Sequence, residues 1–309
     1  MNYKIEKYMN CERFNEQYHD IYLFLLNAEK EEYNEHFHWG RFEWMQIHTM
    51  LDEDKLTNIA MFRNASDEIV GMITYDTHYD DRVYLLHMTS DKSLLNQMID
   101  TVLGNESGEV TVKVNSKDKV LTEVLQERQF EKMQKDNSVL ELDLSRTLEY
   151  NIPDEYLISS QSFQMDKWQY QLVIHKGFNN EGIPDKWDDD VFERGVNINM
   201  ELRTFATFRD EYCSHCGLWY TEGISAYVEP VITVPEHRRK GLAKAVIYEA
   251  CRRAKNLGAE RATVLSDQDF YYKIGFKCSS EVYCWRKNRK KIDIGTWIKN
   301  PEFAGIQNK

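Results

Sequence analysis

No apolar run in the chain approaches the roughly 18 residues that would suggest a membrane-spanning helix, and Met1 to Asn10 (MNYKIEKYMN) lacks the apolar centre of a secretory leader. No membrane association is expected, and a cytoplasmic location is. Positive charge is also short: 39 Lys and Arg stand against 51 Asp and Glu, a formal net charge of −12. Such a chain repels phosphate backbones, which removes nucleic acid from the expected partners. Compositional bias is missing too. With 42% hydrophobic, 29% charged and 13% aromatic residues, the usage is that of an ordinary globular protein and excludes disorder and collagen.

The six cysteines include one C-x-x-C pair, Cys213 and Cys216, but no second ligand pair for zinc, since His215 alone does not supply it. Tyr212 to Tyr220 (YCSHCGLWY) reads as a strand, in which residues three apart lie roughly 10 Å apart on opposite faces. A disulfide needs Cα atoms within about 7 Å. Reduced, structural cysteines and no metal are therefore expected.

What is present is a chain of 309 residues, enough for two domains at roughly 100 to 200 residues each. Helical spacing marks Tyr18 to Glu31, Trp39 to Leu51, Ser93 to Leu103 and Leu121 to Gln129. Strand-like runs are Asn58 to Arg63, Ile69 to Tyr75, Arg82 to Met88, Glu109 to Val114 and Ser138 to Leu144. Ser145 to Glu155 holds Pro153 and no periodicity, which puts a boundary between units 1–150 and 151–309. Beyond it come helices Trp168 to Gly177 and Val191 to Asn197, then strands Leu202 to Phe208, Tyr212 to Tyr220 and Ala226 to Val234. Helix Gly241 to Leu257, strand Ala262 to Leu265, short helix Phe270 to Ile274 and strand Ser279 to Trp285 complete the order. Both units run helices, three strands, helix, strand, helix, strand, the pattern of a duplicated α/β unit with a mixed sheet.

The chemistry concentrates in Tyr227 to Ala245, YVEPVITVPEHRRKGLAKA. A β-branched strand feeds Arg238-Arg239-Lys240-Gly241-Leu242-Ala243, an R-x-x-G-x-A loop at a helix start. There the unpaired backbone N–H groups suit an anion such as a pyrophosphate. Pro230 cannot donate to a ladder and so predicts a bulge or a parting of strands, leaving backbone groups of Ile232, Thr233 and Val234 free for a ligand. By alternation, Glu229 is expected on the face of Val231 and Thr233.

The segment Val234 to Ala245 (VPEHRRKGLAKA) resembles the acetyl-CoA-binding motif of the GNAT superfamily of N-acetyltransferases. Phe270 to Phe276 (FYYKIGF) is similar to that family's second signature, a tyrosine-bearing helix ending in Gly-Phe. The resemblance covers roughly Leu202 to Trp285; the first half matches only by its order of elements, and on that order two GNAT-like domains in tandem are expected. In the second, the backbone of Ile232, Thr233 and Val234 would pair with the pantetheine arm, and Arg238, Arg239, Lys240, Gly241, Leu242, Ala243 and Lys244 would cradle the pyrophosphate. Tyr271 is implied as the acid that protonates the leaving thiolate, and Glu229 is the best carboxylate for the base. Where the family often has an Asn before the tyrosine helix, this chain has Ser266-Asp267-Gln268-Asp269. The reaction implied is acetyl transfer from acetyl-CoA to a primary amine, with a small-molecule acceptor and an open oligomeric state. The alternative is a CoA-binding regulatory module without turnover.

In the first unit the matching stretch, Leu85 to Leu94 (LLHMTSDKSL), has no glycine and no Arg-rich loop, so a degenerate unit that packs on the second or shapes its acceptor cleft is expected. Two charge runs read as solvated faces: Asp185, Asp188, Asp189, Asp190 and Glu193, and Arg286, Lys287, Arg289, Lys290 and Lys291.

Overall fold

The computed structural model describes residues 3–80, 82–105, 108–186 and 195–288. Their twelve strands form one sheet in the order β1-β2-β3-β4-β5-β12-β6-β11-β10-β9-β8-β7. β1 (Lys4–Lys7), β2 (Ala60–Arg63), β3 (Ile69–Thr74), β4 (Arg82–His87) and β5 (Glu109–Asn115) make one flank. β7 (Tyr156–Ile158), β8 (Arg203–Phe208), β9 (Glu211–Trp219), β10 (Ser225–Thr233) and β11 (Arg261–Leu265) make the other. The two long central strands are exchanged. β6 (Glu131–Asp143) precedes β7 in the chain yet lies against β11, and β12 (Lys277–Asn288) lies against β5. The two central strands pair with each other antiparallel.

Each flank repeats the other. Its only parallel pairing joins the fourth and fifth strands at their start: Arg82, Val83 and Tyr84 with Thr111, Val112 and Lys113, and Ser225, Ala226 and Tyr227 with Arg261, Ala262 and Thr263. Past those three residues no pairing continues in either flank, and a wedge opens toward the strand ends.

Helices cover both faces. α1 (Tyr18–Ala28) and α2 (Trp39–Ile47) pack on one face of the first flank, α3 (Lys92–Asn105) and α4 (Lys119–Glu127) on the other. α5 (Lys167–Gly177) and α6 (Leu242–Asn256) sandwich the second flank, and α7 (Asp269–Lys273) sits beside the second wedge. The patterns explain the packing. In β5, Val110, Val112 and Val114 alternate inward onto Leu121, Val124 and Leu125 of α4, and Asp118 caps that helix by accepting from Leu121 N at 2.9 Å. On α6, Leu242, Val246, Ala250 and Ala254 form one buried face over Leu218, Ala226 and Val228.

The cores of the two flanks merge. Trp219 and Tyr227, from β9 and β10, are buried within the cluster built by α1 and α2. Gly40 makes this contact close, since a Cβ there would meet Trp219 Cβ at 2.3 Å.

The expected helix over Val191 to Asn197 falls largely on 191–194, outside the described residues, and 195–199 is irregular rather than helical. Asp188, Asp189, Asp190 and Glu193 also lie outside them, as do Arg289, Lys290 and Lys291, while Asp185 is exposed. Arg286 and Lys287 belong to β12 instead of following it. Arg286 pairs with Glu109 at 2.9 Å, and Lys287 donates to Arg128 O at 2.5 Å. Among the described residues no helix is long and apolar enough to cross a membrane, and all six cysteines are free.

Candidate functional site

The second wedge opens at a bulge. Pairing of β10 with β9 shifts register between Val228 and Val231, around a cis Glu229–Pro230 bond, as the missing N–H of Pro230 leads one to expect. Trp219 Nε1 donates to Glu229 O at 2.8 Å and fixes the bulge from β9. Gly217 leaves the room, because a Cβ there would meet Glu229 O at 2.6 Å.

Beyond the bulge Val231, Ile232 and Thr233 face Cys216, His215 and Ser214. Backbone groups alternate along an antiparallel ladder. Val234 N donates to Cys213 O at 2.9 Å and Val234 O accepts from His237 N at 3.0 Å, so both groups of Val234 are used within the protein. By the same alternation Ile232 turns its backbone to β9, and its carbonyl accepts from Ser214 Oγ at 2.8 Å. Of the three positions expected to meet a ligand through the main chain, only Thr233 turns to the wedge, joined by Val231. Sequence alone missed Val231 because the bulge reverses the parity of the strand.

Those residues form one wall of a cleft of about 930 Å³. The opposite wall is α7 with Tyr271, and the floor is the start of α6. Gly241 is the N-cap of α6 at φ 84°, with no side-chain cap, so the first-turn amides of Leu242, Ala243 and Lys244 have no partner inside the helix. A Cβ at Gly241 would stand 2.9 Å from Asn151 O. Arg238, Arg239, Lys244 and Lys273 line the cleft against a single acid, Asp269. Its local charge is thus opposite to that of the whole chain, which suits an anionic ligand at a helix start.

Two of the basic residues are engaged elsewhere. Arg238 donates from Nε to Thr233 O at 2.9 Å and from Nη2 to Gly177 O at 2.9 Å and Asn179 Oδ1 at 2.8 Å, tying β10 to the end of α5. Lys240, expected in the cradle, is not among the lining residues. Its ammonium donates to Tyr156 OH at 2.7 Å, and the same hydroxyl meets His237 Nδ1 at 2.9 Å.

Tyr271 lies on the single turn of α7, which ends in Gly275 at φ 98° with Phe276 N donating to Tyr271 O and Gly275 N to Tyr272 O, each at 3.0 Å. Burial, with smaller contributions from Cys216 and Glu229, raises its phenol well above the ordinary tyrosine range. It therefore holds its proton at neutral pH.

Glu229 does not line the cleft wall. Val231 packs against the α6 cluster while Tyr227 belongs to the α1 and α2 cluster, and the Glu229 carboxylate follows Tyr227, accepting from its hydroxyl at 2.7 Å. The expected common face of Glu229 with Val231 and Thr233 is thus broken by the bulge. Its side chain keeps 32% exposure and stands 3.8 Å from Arg41 Nη1. Desolvation raises the carboxyl above its ordinary range against the opposing pull of Arg41 and the Tyr227 hydroxyl.

The first wedge has the same outline and different contents. Asn34 inserts its amide against β4, donating to His87 O at 2.8 Å and accepting from His87 N at 3.4 Å. Asp91 accepts from Ser93 N at 2.8 Å at the start of α3, placing a carboxylate where the other helix is open. At the end of α4, Phe130 N donates to Leu125 O and Gln129 N to Gln126 O, so Leu125 and Gln129 occupy the places held by Tyr271 and Gly275.

Residues 168–276 match the model of the acetyltransferase (GNAT) family. In fold the chain is similar to a GCN5-related N-acetyltransferase from Sphaerobacter thermophilus, with a TM-score of 0.54 and 11% identity over 93% of this chain and 95% of that one. A tandem GNAT protein from the clavulanic acid biosynthesis pathway gives 0.54 and 10% over 92% and 98%. A GCN5-related N-acetyltransferase from Kribbella flavida gives 0.50 and 12% over 72% and 89%. No curated protein matches the sequence. The chain has the mixed α/β fold of GNAT acetyltransferases. Among the described residues no group of three or more His, Cys, Asp or Glu side chains could hold a metal ion.

Proposed function

From that fold we propose that the chain is a tandem GNAT protein whose second unit, 151–309, transfers acetyl from acetyl-CoA to a primary amine of a small molecule. The first unit, 1–150, is read as a degenerate copy. The observation that carries the reading is the contrast between the wedges. One has an uncapped helix start behind Gly241, strand edge at Val231 and Thr233, and a tyrosine opposite. The other has Asp91, Asn34 and Leu125 at the corresponding places.

The amides of Leu242, Ala243 and Lys244, with Arg239 beside them, would hold the pyrophosphate, and Thr233 and Val231 would take the pantetheine amides. Glu229 takes a proton from the acceptor's ammonium and passes it to solvent, freeing the lone pair for the new C–N bond, and the second N–H proton leaves to solvent as the amide forms. Tyr271 donates its phenolic proton to the sulfur as the C–S bond breaks, and solvent returns a proton to the phenolate. Main-chain N–H groups just past the bulge supply donors for the thioester oxygen.

Calorimetric titration with acetyl-CoA, followed by a free-thiol assay over polyamines, aminoglycosides and amino-acid amines, tests the reading. Saturable binding with amine-dependent thiol release supports it. Binding without release from any amine would leave a CoA-binding regulatory module, and absence of binding overturns both.

A further inference from the structure

Resting on the reading of Glu229 as base, we propose that Arg41, on α2 of the other half of the molecule, is a positioning residue for Glu229, braced in its turn by Asp76. Arg41 Nη1 donates to Tyr227 OH at 2.8 Å. The same hydroxyl donates to Glu229 Oε2 at 2.7 Å, and Arg41 Nη1 stands 3.8 Å from that oxygen. The other guanidinium nitrogen is bound to the Asp76 carboxylate. The carboxylate thus has its backbone pinned by Trp219, its oxygen set by a phenol, and its charge faced by a guanidinium from across the seam.

Three consecutive features of the first half build this contact. His38, the N-cap of α2, accepts from Gly40 N at 2.9 Å and stacks on the Tyr227 ring at 5.4 Å. Gly40 lets the helix backbone rest on Trp219, and Arg41 then reaches the bulge. A pairing that only steadied the first half would need Arg41 and Asp76 alone; here the guanidinium also crosses the seam to orient the hydroxyl that orients Glu229.

The groups facing Glu229 are Arg41 from α2, Asp76 from the segment after β3, Tyr227 from β10 and Tyr271 from α7, with Tyr84 of β4 close to Arg41. The Tyr227 phenol is raised well above its ordinary range by burial, so the charges that matter are two carboxylates and one guanidinium. Without Arg41 the two carboxylates face each other in a half-buried seam, and Glu229 holds a proton to higher pH.

The test uses the full chain labelled with [¹³Cδ]glutamate, the Glu229 resonance being identified by its loss in Glu229→Gln. In Arg41→Gln the Glu229 titration midpoint should rise by about one pH unit or more, the loss of an opposite charge within about 4–6 Å. Arg41→Lys should return most of that rise. The acid limb of amine-dependent thiol release should move with the midpoint, while acetyl-CoA affinity stays within about two-fold, since Arg41 is outside the cradle. If Arg41→Gln does not fold, Tyr227→Phe must still raise the midpoint. A midpoint that stays at the wild-type value in a folded variant overturns the proposal. Failure of the wild type to bind acetyl-CoA would instead overturn the transferase reading and leave the titration to decide Arg41.

Discussion

Tyr271 must keep its proton until a sulfur departs, and the apolar burial that raises its phenol does that. Tyr271→Phe should leave acetyl-CoA affinity nearly intact in calorimetry and lower kcat by about 10²- to 10⁴-fold, the usual worth of a positioned proton donor. Equal loss of binding and turnover would remove it from the acid role. Glu229 works in the opposite sense, because it must be ionised to accept a proton. Its carboxyl is raised by desolvation, so turnover is full above that raised value and falls as pH drops through it. A pH profile of kcat should show this acid limb above about 4.3, the ordinary glutamate value, and Glu229→Gln should abolish it. Gly241 is a conformational matter: at φ 84° with Asn151 O 2.9 Å from the Cβ it lacks, alanine costs about 1–2 kcal/mol. If that strain is relieved by distorting the loop, the Kd for acetyl-CoA rises roughly five- to thirty-fold, and Gly241→Glu should abolish binding by placing bulk and negative charge at the mouth of the anion cradle.

At the scale of elements, helix ends tell the two halves apart. α4 and α7 close with the same pair of hydrogen bonds, but the left-handed residue is Gln129 at φ 61° in one and Gly275 at φ 98° in the other. Gln129→Gly should therefore stabilise the protein by about 1 kcal/mol, read from the urea midpoint at constant slope. Most elements were legible because their signals are local: the alternating valines of β5, the α6 stripe ended by Gly258, the bulge at Pro230. β1 and β7 were not, being edge strands of 4 and 3 residues whose partners, not their composition, make them strands. The parity reversal past Pro230 escaped as well, and with it the turn of Val231 toward the wedge beside the expected Thr233, since a proline announces a bulge without saying which way the chain resumes. Arg41 carried no signal at all. It sits in an ordinary helical stretch, and only the docking of α2 on Trp219 brings it to Glu229.

At the scale of the whole molecule, the exchange of β6 and β12 lies beyond any local signal, because the placement of a last strand depends on what competes for the open edge. It has a measurable consequence for residues 151–309. A fragment beginning at 151 lacks β6 and the residue that follows it, and with them Leu140, Leu142 and Leu144, all fully buried in one cluster with α6, Tyr271 and Phe276. Removing one such leucine side chain costs about 2–5 kcal/mol, so the three together match the roughly 5–15 kcal/mol that a whole domain has in reserve. The fragment also bares the edge of β11, whose five residues pair with β6 from Asp143 to Val139. We predict that 151–309 shows no cooperative thermal transition and no heat on titration with acetyl-CoA. A fragment beginning at Glu131 regains β6 and should melt cooperatively, below the full chain because Trp219 and Tyr227 lose the cluster that buries them. Calorimetric melts of the three chains decide it: cooperative unfolding of 151–309 at the temperature of the full chain would mean that the second unit is self-sufficient and that the exchanged strand is an ornament of the sheet rather than part of its core.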